Sequence, residues 1–114
     1  MKTEFYEDVK FILGQNAQEN WNILEQAKSE NNYYIWFHLD SFPSGYVIMY
    51  ATLNQLIHKN VNDYLFFAAN LCKNNTKYSN LNNIKICYTS LNKLEKTNKI
   101  GEIIIKGKKK FIKL

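Results

Sequence analysis

Residues 33–50 read Y-Y-I-W-F-H-L-D-S-F-P-S-G-Y-V-I-M-Y and hold the only proline of the chain, one of its two tryptophans and one of its two histidines. With a period of two, Tyr33, Ile35, Phe37 and Leu39 fall on one face and Tyr34, Trp36 and His38 on the other. The first face is expected to be core and the second a surface with work to do. Residues 46–50 alternate again, and the D-S-F-P-S-G segment between two β-rich runs predicts a hairpin with a longer loop.

The rest of the chain is read outward from this hairpin. Phe5-Tyr6 and residues 9–13 flank Glu7-Asp8, the pattern of a tight hairpin or bulged strand ending at Gly14. From 17 to 28, Trp21, Leu24 and Ala27 or Lys28 recur at helical spacing, with Asn16 as N-cap and Glu19 three residues on, as in a capping box. Residues 51–60 are a short helical turn or a structured loop. A second helix is expected over 61–72, with Asn62 as its cap and Asp63 complementing the dipole. Leu65, Ala68, Ala69 and Cys72 would face the sheet. After a polar loop over 73–83 come a strand at 84–88, a basic connection over 89–100, and a final hairpin of 102–106 with 111–114 around Gly107-Lys108. The expected fold is a single α+β domain over residues 1–114, an antiparallel or mixed β-sheet with two main helices packed on one side.

Composition narrows the function classes. At 114 residues, 46% hydrophobic and 22% charged, the chain can build a core. Its net charge of +5 and pI of about 9.1 favour acidic partners. Asn, Lys and Ile are all abundant, as in products of A+T-rich coding sequence, so the placement of the lysines says more than their sum. Cys72 and Cys87 form neither a disulfide framework nor a zinc pattern and read as buried reduced thiols. The N-terminus has no apolar leader, and no window reaches ~18 apolar residues, so the expected setting is cytoplasmic, away from membranes. Nucleophile elbow, metal-ligand set and phosphate-cradling glycine motif are all missing. His38 and Asp40, two apart on a strand, make no assured general-base pair. The expectation is a protein that is not an enzyme and takes no cofactor and no metal.

Three constellations each carry two readings. Trp36 and His38, with Tyr46, Ile48 or Tyr50 across the hairpin, form either a base-stacking platform or a core face covered by the helix over 61–72. Ser44 and Gly45 either offer backbone N–H groups to a phosphate or make an ordinary turn. The basic segment of Lys93, Lys96, Lys99, Lys106, Lys108, Lys109, Lys110 and Lys113 suits phosphate contacts or guards a sheet edge against aggregation. Asn16 and Asn20 read as a cap and a helix-surface residue.

An ordered set of residues brings a family into view: F-I-L-G-Q-N-A-Q-E-N over 11–20, Trp36-Phe37-His38-Leu39, Pro43-Ser44-Gly45-Tyr46-Val47-Ile48, Ala68-Ala69, and Tyr88-Thr89 leading to Lys96 and Gly101. The set resembles the NFACT-R domain, the RNA-binding module of ribosome-quality-control factors, which also occurs as small standalone proteins. The resemblance covers nearly the whole chain. It implies a non-catalytic module that binds rRNA or tRNA, with the large ribosomal subunit as wider partner. It implies also that Asn16 and Asn20 border a site. The family pattern has a basic residue at the place of Gln15, acids at those of Trp21 and Tyr34, and His at that of Tyr46, so a site using these positions is altered here. The nucleic-acid-binding residues expected are therefore Lys93, Lys96, Lys99, Lys106, Lys108, Lys110, Trp36, His38, Ser44, Gly45 and Asn16. A protein-interaction adaptor on ribosomal particles and a DNA-binding protein are the alternatives.

Overall fold

A computed structural model describes all of residues 1–114. Strands β1 (Lys2–Tyr6) and β2 (Val9–Leu13) form the N-terminal hairpin, followed by helix α1 (Ala17–Glu30), strands β3 (Ile35–Leu39) and β4 (Val47–Met49), and helix α2 (Val61–Asn74). Then come β5 (Lys85–Ser90), β6 (Leu94–Lys96), β7 (Ile103–Ile105) and β8 (Lys110–Lys113). The main sheet has six strands in the order β1-β2-β4-β3-β5-β8, every neighbouring pair antiparallel, and β6 and β7 form a separate two-stranded ribbon. The fold is α+β with an antiparallel sheet, as the sequence pattern predicts.

The central hairpin lies in the middle of the sheet, Ile35 opposite Met49 and Phe37 opposite Val47. Ile35, Phe37, Leu39, Val47 and Met49 point to one face and are buried under Leu65, Ala68, Ala69 and Cys72 of α2. Trp36, Ile48 and Cys87 point to the other face and are buried with Ile23, Leu24 and Ala27 of α1 and with Leu91 and Leu94. The helices thus lie on opposite faces of the sheet. This corrects the expectation of helices on one side, and it corrects the identity of the cover over Trp36, which is α1 rather than α2. Because β3 is central and covered on both faces, its near-continuous apolar run has no solvent-facing side except at His38.

Helix α1 begins as its sequence suggests. The Asn16 side chain accepts from the Glu19 N–H at 2.9 Å, and Glu19 reaches back to the N–H of Gln15 at 3.1 Å, a capping box displaced by one residue. For α2 the N-cap is Asn60, two residues before the Asn62 expected, and its side chain makes no capping bond. The expected final hairpin is also corrected. β7 turns back onto β6, Leu94 opposite Ile105, while β8 continues alone to pair with β5, Ile86 opposite Ile112. Gly107, at φ +88, changes the chain's direction between the two pairings.

Two glycines let the loop over 40–46 touch the sheet. A Cβ built at Gly45 would stand 1.8 Å from the Gly14 carbonyl oxygen, and one at Gly14 would stand 2.2 Å from Oδ1 of Asn20. Gly45→Ala must therefore move backbone against backbone. The expected loss is about 1–3 kcal/mol or more of unfolding free energy, read from urea denaturation against the parent chain. An unchanged midpoint would show that the loop gives way freely.

Candidate nucleic-acid interface

Where the loop over 40–46, the N-terminus of α1 and the β6–β7 ribbon meet, the surface sinks into a cleft of about 880 Å³. Each wall is fixed by a polar contact that the sequence dictates. Asn20 is 6% exposed, on the inner face of α1, and its Oδ1 accepts the N–H of Tyr46 at 3.0 Å. Asn20 is thus a buried clamp rather than the helix-surface residue expected. The Gly14 N–H donates to the Tyr46 carbonyl at 2.9 Å, so both backbone polar groups of Tyr46 are held. Its hydroxyl donates to the Gly101 carbonyl at 2.5 Å and ties the ribbon to the sheet. Gly101, at φ +84, packs so closely on α1 that an added Cβ would lie 2.7 Å from Cβ of Ala17.

Trp36, His38 and Tyr46 form an aromatic cluster at the floor. The Trp36 and His38 rings lie parallel at 5.6 Å, and Tyr46 sets its edge against both, at 5.4 and 5.7 Å. At 2% exposure Trp36 is core, and no base can lie on its face; its buried Nε1 has no hydrogen-bond partner. His38 is only partly covered and lines the cleft. Its Nδ1 lies 2.6 Å from the Leu39 carbonyl. A carbonyl only accepts, so Nδ1 carries the hydrogen and Nε2 of the neutral ring is an acceptor. Burial holds the His38 pKa below its ordinary 6.5, against the upward pull of the Leu39 and Ser44 backbone and of Asp40. Burial likewise pushes the Tyr46 hydroxyl up to about 12 and the Cys87 thiol up to about 11, so both stay protonated at neutral pH.

The Ser44 hydroxyl accepts the Leu39 N–H at 3.1 Å and donates to the Gly45 carbonyl at 3.0 Å. It closes the turn, so the P-S-G loop is a wall of the cleft whose hydroxyl is already engaged. Asn16, His38, Ser44 and Gly45, all expected at a binding site, do come together here, and Lys99 joins them at the rim. The other expected lysines do not. Lys96 pairs with Glu25 and lies 4.7 Å over the ring of Trp21. Lys106 pairs with Glu95 at 2.7 Å on the ribbon, where Lys93 also stands, its Nζ 3.7 Å from a Cβ built at Gly107. Lys108 is exposed in the turn before β8, and Lys110 points to the α2 face beside Tyr88 and Leu65. In their place the fold brings Lys77, from the polar loop after α2, and Lys109, bonded to Asp40 at 2.8 Å, to the cleft. That hydrogen bond raises the Lys109 pKa. Lys77 carries no pattern in the sequence that would mark it. Lys109, part of the basic segment but left out of the expected site, is singled out by the alternation of β8, which sends 109, 111 and 113 to one face and 110 and 112 to the other.

An antiparallel sheet held between two helices, with a polar cleft beside its central hairpin, defines the structural class. Residues 3–113 match the model of the NFACT protein RNA binding domain, and the chain belongs to that family of RNA-binding domains. Among solved structures it is similar to the C-terminal part of the fibronectin/fibrinogen-binding protein of Streptococcus suis, with a TM-score of 0.77 and 20% identity over 93% of this chain. The match covers 40% of that longer chain, and at this identity it speaks for the fold. No curated protein sequence matches. No helix is long and apolar enough to cross a membrane, and no group of three or more His, Cys, Asp or Glu side chains is placed to hold a metal ion.

The depressed His38 pKa sets a sign for stability against pH. The unfolded chain takes up this proton near 6.5 and the folded one only at lower pH. The stability associated with neutral His38 is therefore fully present above 6.5 and is lost as the pH falls through the folded pKa. Urea midpoints measured from pH 7.5 to 5 are expected to fall less for His38→Asn than for the parent. Parallel falls would show that carboxylates alone carry the effect.

Proposed function

We propose that this protein binds rRNA or tRNA in ribosome-associated quality control in the cytoplasm, with the large ribosomal subunit as its wider partner. The observation that carries the reading is the match of residues 3–113 to an RNA-binding domain family, in a fold whose cleft gathers lysines beside neutral hydrogen-bonding groups. Every one of its 15 cationic side chains is a lysine. Lysine offers a point charge to a phosphate, whereas the rigid fork that grips a guanine edge belongs to arginine. Contacts to the backbone, tolerant of sequence, are what such a surface supports.

In this reading Lys77 and Lys99 take phosphates at the cleft, Lys108 extends the contact, Lys109 is held at the rim by Asp40, and Asn16, His38, Ser44 and Gly45 shape the wall. Lys93, Lys96, Lys106 and Lys110 contribute through the field of the whole domain rather than by touching the ligand at the cleft. The role is binding and not catalysis. Neutral His38 has no hydrogen-bonded nucleophile beside it, and the Cys87 thiol is held far above neutral pH.

Fluorescence anisotropy with labelled rRNA and tRNA fragments across a salt series tests this. Micromolar or tighter binding is expected, falling steeply with salt. The combined Lys77→Ala and Lys99→Ala variant should flatten the slope of log K against log salt by roughly 0.7 for each phosphate of a single strand that is no longer neutralised. The Lys96→Ala and Lys106→Ala pair should change it little, because acids already hold those ammonium groups. Absence of RNA binding, with capture of ribosomal particles that survives nuclease, would turn the assignment to a protein adaptor. Equal binding of DNA would remove the RNA preference.

A further inference from the structure

Phe111 on the edge strand β8 is 47% exposed, a large ring left in solvent on a strand otherwise guarded by lysine. It stands opposite Cys87, and Cys87 stands opposite His38, so the ring lies on the same face of the sheet as the cleft floor, two strands away from it. Two ammonium groups lie over the ring: Lys85 Nζ at 5.5 Å and Lys109 Nζ at 5.6 Å from its centre. Lys109 is at the same time the residue bonded to Asp40 at the cleft rim. An exposed aromatic ring that already holds cations, with no helix over it, can take an unpaired base when the long lysine side chains swing from the ring to the flanking phosphates.

We propose that Phe111, between Lys85 and Lys109, is a stacking platform for one unpaired base of a single-stranded RNA segment that continues past Lys109 into the cleft. The assignment rests on the RNA-binding reading above and adds the form of the RNA to it. A duplex has its bases already stacked and presents none to the ring, so the platform selects single strands, loops and ends. The strand passes from the ring, across the Asp40–Lys109 pair, to the acceptor Nε2 of His38, which suits a 2′-hydroxyl or an exocyclic amine as donor.

The test uses the full chain and a labelled RNA strand without self-complementarity, alone and hybridised to its complement. Phe111→Ala is expected to weaken single-strand binding by roughly 5- to 150-fold, the range of one base–aromatic stack. Phe111→Trp should keep or improve it, and Phe111→Leu, which preserves apolar packing without an aromatic face, should behave as Ala. Duplex affinity and the salt slope should not move in any of the three, since no charge is removed. Thermal melting reports whether each variant folds as the parent does. If the parent binds RNA but Phe111→Ala leaves single-strand affinity intact, or weakens duplex and single strand alike, the platform is overturned and the RNA-binding reading survives. If the parent binds neither form, both fall.

Discussion

Gly14 and Gly45 touch, and the architecture around the cleft depends on that contact. A side chain on Gly45 would collide with the Gly14 carbonyl at 1.8 Å, and one on Gly14 would collide with Asn20 at 2.2 Å. Because neither residue has one, the loop over 40–46 can lie flat on the end of β2, where Tyr46 makes hydrogen bonds with Gly14 and with Asn20. Burying the Asn20 amide would be costly without such a partner. A buried polar group lacking one loses about 1–3 kcal/mol. The requirement for that partner orients α1 on the sheet, and the apolar residues Ile23, Leu24 and Ala27 complete the packing that this one polar contact positions.

The sheet was legible in the sequence because its signals are local. Period-two alternation located β3 and β4, Glu7-Asp8 located the N-terminal turn, and Asn16 with Glu19 marked the start of α1. The placement of the helices was not legible. A strand buried on both faces and a strand buried on one differ only at the second face, and Trp36, Ile48 and Cys87 are residue types that serve either as core or as a contact surface. Two neighbouring strands cannot say which helix covers which side, since that follows from the handedness of connections elsewhere in the chain. The C-terminal quarter misled for a related reason. Three short strands close together in sequence suggest a hairpin of the last two, but Leu94 and Ile105 meet instead because the ribbon buries its inner face on α1.

The site was less legible than the fold, and the lysines show why. Seen in sequence, Lys93 to Lys113 is one basic segment. In space it is divided three ways: ribbon lysines that meet Glu25 and Glu95, Lys110 on the α2 face, and Lys99 and Lys109 at the cleft. Alternation along β8 separates Lys109 from Lys110, and two acids, Glu25 far away in sequence and Glu95 within the segment, neutralise part of what remains. The cation that joins the cleft from elsewhere, Lys77, sits in an irregular loop where no periodicity exists to indicate direction. Asn16, His38, Ser44 and Gly45 could be read together because they flank structural punctuation, a cap and a turn, which sequence reports well.

Two of the four positions where the resemblance implied other residues, Trp21 and Tyr46, now have physical roles. Trp21, in place of an acid, presents a ring to the ammonium of Lys96 at 4.7 Å, so a cation still finds a partner there. Tyr46, in place of histidine, reaches further than an imidazole, and its hydroxyl takes the Gly101 carbonyl. That bond fixes the ribbon against α1 and with it the chain from Lys99 to Glu102, which forms the outer wall of the cleft. The wall therefore owes its position to neutral hydrogen bonds and close backbone packing, which salt does not screen, while the groups that would meet a polyanion are flexible lysines at its rim. Under the proposed binding role, such a division would let ionic strength tune affinity without altering the shape of the cleft.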